Sequence, residues 1–491
     1  LTVLIQRFLL LGFAVWINFP ALSQAKKPNI LFIAVDDLRA ELGHLGDTQI
    51  LTPNLDELAK EAVSFSNHFV AVPTCGASRA AFLTGRRPSR RVELNNNIMQ
   101  DEFPKKEESS IPETFIHHLR RNGYHTVGIG KISHSADGYV YGYEEEVSDQ
   151  RELPYSWDEL LFDAGKWKTG WNAFFAYSDG ENRQSMNKQV KPYEAGDVDD
   201  LGYPDGLTTQ LAISKLKDLK NQNEPFFLGI GLFKPHLPFT APKKYWDLYQ
   251  EDQIEIAKNP NKPLHVSDQS LLPSGEFNQY ALGEEHPNLS TVASKAYAQK
   301  IKHAYYAAAS YSDAQIGLIL DALKALDLEK NTIVIIWGDH GWHLGEQQIW
   351  GKHTLFENAL NSALILKIPG KTEQGRTENS IVESVDIYPT IMELTGIDAP
   401  GELDGESLVS LILQNQNRQK KVAYGYFNNG ITVRNDRYRL TRFYRNGGLI
   451  YELYDHQIDP LESVNIAKEN PDIVLEMIPL LEKGNTGLFE K

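Results

Sequence analysis

Four apolar runs in this 491-residue chain stop at side chains that can bind metals, hold anions or move protons. Residues 29–35 end in Asp36-Asp37, 126–129 lead to Lys131 and His134, 225–232 to Lys234 and His236, and 332–337 to Asp339-His340. Asp36, Asp37 and Asp339 are hard oxygen donors, and three carboxylates suit calcium or magnesium. His340 would be an unusual ligand for either, which leaves zinc or manganese open. Arg79, Lys131, Lys234 and Lys352 would make the same place an anion trap. His134 and His236 are of the type that titrates near neutral pH, as general acid–base work requires. His44, His68, His117, His118 and His125 have no comparable setting and are read as structural.

The only cysteine, Cys75, precedes a run over 78–84 whose spacing predicts a helix stopped by Gly85. A lone cysteine is ordinarily an inert buried thiol. Here it sits at a helix start, where unpaired N–H groups and the positive dipole end seat an oxyanion, with Arg79 beside it. Together these residues describe hydrolysis of an anionic ester, and by themselves they do not separate phosphate from sulfate. The basic run 86–91 reads equally as a contact for a polyanionic substrate or as locally paired charge.

The elements that would position these groups alternate between strand and helix from Lys27 onward, which predicts an α/β fold: a large, mostly parallel or mixed sheet sandwiched by helices. Ligands of such sheets bind beyond the carboxyl ends of the strands, so residues distant in sequence should converge on one rim. Residues 137–205 and 251–295 show little periodicity and read as surface loops placed to cover a site. Short strands near 422–427, 431–433, 438–443 and 449–454, then a helix over 471–483, predict a small antiparallel subdomain. The expected organisation is a signal peptide over 1–25, a catalytic domain over 26–415 and a C-terminal subdomain over 416–491.

The leader expectation rests on Arg7, the apolar run 8–17 and the small residues before Lys26. That run is short for a membrane span, so the protein is expected to be exported, periplasmic or secreted, without a stable membrane anchor. A net charge of −16 argues against nucleic acid as a partner. One cysteine excludes an internal disulfide.

Cys75-Gly76-Ala77-Ser78-Arg79 with Leu83-Thr84-Gly85-Arg86 resembles the signature of the type I, formylglycine-dependent sulfatases, a branch of the alkaline phosphatase superfamily. The resemblance is closest to the iduronate-2-sulfatase type. It extends through Val35-Asp36-Asp37-Leu38-Arg39, Gly130-Lys131 with His134, Pro154-Tyr155-Ser156-Trp157, Lys234-Pro235-His236, Asp339-His340-Gly341-Trp342 to Lys352, and Glu452-Leu453-Tyr454-Asp455.

The resemblance implies that a formylglycine-generating maturation enzyme oxidises Cys75. It implies one calcium ion, with magnesium or another divalent cation second, held by Asp36, Asp37, the modified Cys75, Asp339 and His340. Many sulfatases carry Asn where this chain has His340. Arg79 and Lys131 would hold the aldehyde hydrate and the sulfate, with Lys234 near the rim. His236 and Lys352 would protonate the departing sugar oxygen, and His134 would take the proton that expels sulfate. Trp342, His343 and the two loop segments would select the sugar. The implied substrate is a sulfated oligo- or polysaccharide, either uronic-acid-containing or of the algal ulvan or carrageenan type. The alternative is a phosphoesterase or phosphonate monoester hydrolase on the same core.

Overall fold

At the centre of the computed structural model, which describes residues 27–414 and 421–490, lies the strand Asn29–Val35, every residue of it buried. The expected signal peptide and the 415/416 boundary fall outside the described residues. The central strand pairs in parallel with Phe226–Leu232 on one side and Thr332–Gly338 on the other. Edge to edge, the eight strands run Arg376–Glu378, Val63–Phe65, Leu364–Lys367, Thr332–Gly338, Asn29–Val35, Phe226–Leu232, His125–Gly130 and Glu159–Leu161. Leu364–Lys367 is antiparallel to both neighbours, so the sheet is mixed.

A strand covered on both faces reads as continuous apolar sequence, and alternate side chains here enter two cores. Leu31, Ile33 and Val35 pack with residues of the helices Pro204–Leu219 and Lys295–Ala325. Ile30, Phe32 and Ala34 pack on the other face with Phe82, Phe115 and Ile387. Phe82 stacks on Phe32 at 5.1 Å and on Trp337 at 4.2 Å, which pins the helix Cys75–Thr84 to the sheet. Burying a phenylalanine this fully contributes about 1.5–3 kcal/mol.

One helix boundary differs from the sequence reading, and two others are set by side-chain caps. The Cys75 helix begins at Cys75 itself, three residues earlier than expected, because the Thr74 carbonyl already accepts from Ser78 N at 2.8 Å. Gly76 makes this possible, since a Cβ there would stand 1.9 Å from the Asn96 carbonyl oxygen. A helix starts at Phe115, where Thr114 Oγ1 accepts from His117 N at 3.0 Å. The long helix starts at Lys295, where the Ser294 hydroxyl caps Tyr297 N.

The C-terminal part is the expected antiparallel sheet, Ala423–Phe427, Gly430–Arg434, Tyr438–Arg445 and Gly448–Asp455, followed by the helix Pro471–Lys483. Its apolar side includes Tyr424, Tyr426 and Val433, and packs with Ala77 and Ala81 of the Cys75 helix. That helix is therefore held between two sheets. A second tie is ionic: Arg439, 1% exposed, bonds Glu462 at 2.6 Å and also reaches Glu357.

Arg439→Met should lower stability by about 3–5 kcal/mol, because it takes the buried arginine from Glu462 and leaves Glu357 with only one of its two arginines, Arg434. Denaturant unfolding of the purified variant checks this.

Candidate active site

The parallel strands deliver their carboxyl ends to one rim, and the four sequence clusters meet there. Successive residues of a strand point to opposite faces, so Asp36 and Asp37 could not both face one centre in extended backbone. Asp37 departs from it with φ 61°. Its backbone is fixed by donation from Asp37 N to Asp339 Oδ1 at 3.0 Å and from the Tyr305 hydroxyl to Asp37 O at 2.8 Å. Left-handed backbone at a non-glycine residue costs about 1–3 kcal/mol and is characteristic of functional sites.

Each carboxylate has a dedicated cation. Lys131 Nζ lies 2.6 Å from Asp36 Oδ2, and Arg79 reaches Asp36 Oδ1 at 3.2 Å and Asp339 Oδ2 at 2.9 Å. Lys352 Nζ lies 3.0 Å from Asp37 Oδ1. Arg79 also donates to the carbonyls of Lys131 and Ile132, which fixes its plane. Against burial, Lys131, His236 and Arg79 hold Asp36 well below the usual carboxylate range. Burial pushes Asp37 well above it, and burial with neighbouring Asp36 raises Asp339.

Cys75 stands inside this cluster. Its Sγ is 3.2 Å from His340 Nε2 and 3.2 Å from Lys352 Nζ. Burial, with Asp36 beside it, pushes the thiol up to about 12. Asp36, Cys75, Asp339 and His340 each bring one ligand atom to within 4.8 Å of the others, and all four are buried. The donor set fits a divalent cation. Asp37 and Asp339 are driven toward neutrality without one, and a doubly charged ion reverses that drive.

Around the cluster stand the expected acid–base groups. His134 is buried against Trp171, with ring centroids 5.4 Å apart, and its Nδ1 has no hydrogen-bond partner among the described residues. Burial, then the charge of Lys131, pulls His134 well below its ordinary pKa. His236 Nδ1 lies 2.6 Å from the Leu237 carbonyl, so that nitrogen carries a proton. Its Nε2 lies 3.2 Å from Glu276 Oε1. Two lone pairs would face each other across that gap unless a proton lies between them. Burial pulls His236 down to about 3, while Lys352 and His236 hold Glu276 well below its usual range against burial. Both shifts disfavour a proton on the pair, so a proton held there is readily given up.

Three groups of expected residues lie deeper, or are more fully paired, than the sequence suggests. Trp342 and His343, expected to select the sugar, are fully buried. Trp342 lies under Lys352, with Nζ 5.1 Å from its ring, and His343 Nε2 pairs with Thr354 Oγ1 at 2.9 Å. After Gly341 the chain turns down into the core, so both residues support the Lys352 segment from below. Lys234, expected at the rim, is 2% exposed and donates to the carbonyls of His236 and Pro238 at 2.8 and 2.6 Å. It shapes the loop that carries His236. In the basic run, Arg87 pairs with Glu383, and Arg90 pairs with Glu93 and Glu102, so local pairing accounts for both.

Two residues in the site were missed in the sequence, and both come from the segments read as surface loops. Glu276 is one. The other is Phe174, whose ring lies 4.3 Å from Lys131 Nζ and 4.5 Å from the His236 ring. The segment 137–205 is better described as a packed wall, with Trp167, Trp171, Phe174 and Phe175 all buried in one apolar cluster. Its dense aromatic content was the available signal.

Comparison with known proteins agrees with this geometry. Residues 28–397 match the sulfatase family, and residues 345–483 match the C-terminal region of N-sulphoglucosamine sulphohydrolase. Iduronate 2-sulfatase of Mus musculus is 33% identical over 429 residues, covering 80% of this chain and 73% of that protein. A sulfatase of Formosa agariphila is 32% identical over 473 residues, covering 91% and 84%. Two solved structures share the fold at 21% identity. One is a protein in complex with its substrate D-glucosamine-2-N,6-O-disulfate, with TM-score 0.68, covering 94% of this chain and 98% of that one. The other is the phosphonate monoester hydrolase from Silicibacter pomeroyi, with TM-score 0.73, covering 94% and 95%.

Chelator-treated protein should gain stability when a divalent cation is restored, by about 2.7 kcal/mol at a hundredfold excess over Kd. Asp339→Asn should lose most of that gain. Scanning calorimetry with calcium and magnesium in separate titrations checks both statements.

Proposed function

The chain belongs to the sulfatase family, and we propose that it removes sulfate from a sulfated sugar through a formylglycine made from Cys75. It is a sulfuric ester hydrolase. The observation that carries the finer reading is the placement of Cys75 Sγ, 3.2 Å from both His340 Nε2 and Lys352 Nζ, at the first turn of a helix and inside the carboxylate cluster. A thiol pushed up to about 12 is a poor nucleophile at neutral pH. Its value lies in what replaces it. A formylglycine hydrate supplies one oxygen for attack on sulfur and a second hydroxyl through which sulfate is expelled.

Calcium suits the oxygen-rich donors, with magnesium or another divalent cation second. Asp36, Asp37, Asp339, His340 and residue 75 would hold it, and it would supply positive charge to the nucleophile and the sulfate oxygens. This chain's own residues do the rest. Arg79, locked between two carboxylates and two carbonyls, presents a fixed positive edge, and Lys131 stands beside it. His134, kept neutral by burial and with Nδ1 unpartnered, can accept the proton that accompanies sulfate release. His236, with Glu276 behind its Nε2, and Lys352 can deliver a proton to the departing sugar oxygen. Phe174 lies over Lys131 and His236 and keeps water from them.

The substrate we favour is a uronic-acid-containing or algal ulvan- or carrageenan-type glycan, or its oligosaccharides, met after export. Cys75 is 2% exposed, so a maturation enzyme would have to reach it before this fold closes.

Cys75→Ala should abolish sulfate release while the folded state and most of the cation-dependent stabilisation survive. Full turnover by that variant would rule out formylglycine chemistry. Parallel assays of an aryl sulfate and the matching aryl phosphate separate this reading from the phosphoesterase alternative, since faster phosphate hydrolysis would favour the latter. Glu276→Ala should lower kcat on a sugar sulfate by about 100-fold or more, the scale of general acid catalysis. The loss on an aryl sulfate should be smaller, because a phenolate leaves without protonation. Leaving-group dependence of kcat measures the difference.

A further inference from the structure

Among the described residues, six arginines are buried: Arg39, Arg79, Arg183, Arg434, Arg439 and Arg442. Five have carboxylate partners: Arg39 with Glu346, Arg79 with Asp339, Arg434 with Glu357, Arg439 with Glu462 and Arg442 with Glu482. Arg183 is 5% exposed and has no ion-pair partner among the described residues, and its Nε lacks any hydrogen-bond partner. Taking a guanidinium out of water without a counter-charge is costly, and buried charges are ordinarily paired.

Arg183 is held by aromatic rings. Its Cζ lies 3.6 Å from the Phe175 ring centroid and 5.5 Å from that of Tyr280. Both contacts belong to the active-site wall. The Phe175 ring lies 6.4 Å from that of His236, and Tyr280 follows Glu276 through a single short turn. Tyr143 packs on Phe175 at 5.5 Å with 44% of its surface exposed, which marks a rim. Tyr143 also packs on Trp171 at 4.7 Å, and Trp171 on His134 at 5.4 Å, so the Arg183 wall adjoins the site residues. The cations nearer the nucleophile already face Asp36, Asp37 and Asp339. Among the buried arginines described, Arg183 alone has no carboxylate partner.

Given the sulfated-sugar reading above, on which this rests, we propose that Arg183 receives a second anionic group of the substrate, beside the scissile sulfate. The guanidinium fork matches the paired oxygens of a carboxylate or sulfate, and its stacking on Phe175 sets its plane before substrate arrives. Arg183 is then a specificity residue. It favours sulfated sugars that carry a further negative charge over neutral ones that carry only the sulfate to be removed.

The test compares wild type, Arg183→Gln and Arg183→Lys by released sulfate on three probes. These are a sulfated uronic-acid disaccharide, the same disaccharide with its carboxyl reduced to the alcohol, and a neutral disaccharide bearing two sulfates. In Arg183→Gln, kcat/KM for the uronate relative to its reduced counterpart should fall by about 10- to 100-fold, mostly through KM. Arg183→Lys should recover part of it. A fall confined to the doubly sulfated probe identifies the group as a second sulfate. Equal losses on all three probes would reduce Arg183 to packing against Phe175 and overturn the proposal, as would a wild type indifferent to both extra charges. Should Arg183→Gln fail to fold, competitive inhibition of wild type decides: a free uronate should inhibit at a lower concentration than its neutral sugar, and equal inhibition counts against the proposal. A wild type that releases no sulfate from any probe, yet cleaves an aryl phosphate, sinks the underlying sulfatase reading instead.

Discussion

Three carboxylates share one fully buried centre, and most of the surrounding structure answers to that fact. Asp36, Asp37 and Asp339 are each without solvent exposure, where an ionised carboxyl group is stable only if paired. The backbone is bent to bring them together, with Asp37 at φ 61°. Arg79, Lys131 and Lys352 are then placed one by one against them. The balance remains incomplete, since burial still drives Asp37 and Asp339 toward the protonated form. A site in this condition has free energy to gain from a divalent cation, and the same cations can also hold a sulfate.

Such a cluster needs rigid support, because small displacements of charges in low dielectric change their interaction strongly. The sheet supplies it from below through four parallel strand ends. The helix Cys75–Thr84 supplies it from the side, with Phe82 on the main sheet and Ala77 and Ala81 against the C-terminal sheet. The small C-terminal subdomain thereby acts on the site from its back. It contributes no residue to the carboxylate cluster, yet it presses on the helix that carries residue 75.

The half of the site built by the strands was legible in the sequence, because a parallel strand buried on both faces leaves an uninterrupted apolar run whose end can be found to within a residue. Asp36, Lys131, His236 and Asp339 follow such runs and meet as the topology requires. The half built by the long insertions was not legible. Glu276, Phe174 and Arg183 lie in segments without periodicity, and they reach the site through contacts with residues distant in sequence. No local pattern encodes where such a segment folds back. Trp342 and His343 mark a different limit of the sequence reading. They follow a strand end, as the true site residues do, but the chain dives after Gly341, where a Cβ would stand 2.1 Å from the Asn358 carbonyl oxygen. Proximity in sequence to a strand end therefore places a residue near the rim without deciding which way it faces.

The two halves also divide the chemistry. On the proposed reading, the strand ends hold the groups that would meet sulfur and its oxygens, and these have little freedom to vary because they are tied into the buried carboxylate cluster. The insertions would hold groups that meet the sugar, and apart from Glu276, which is tied to His236 and Lys352, those named here lie outside the carboxylate charge balance. The protein's net charge of −16 sharpens this division. A chain so acidic does not steer a polyanionic glycan from a distance, and screening confines any attraction to roughly 10 Å at moderate salt. Recognition then has to occur at short range, inside the pocket. There, on the role proposed for Arg183, a buried guanidinium stacked on an aromatic ring would discriminate by geometry as well as by charge. On the reading proposed above, selection of the sugar would fall to the wall that carries Phe175 and Arg183, and cleavage to the strand ends beneath it together with the His236–Glu276 pair.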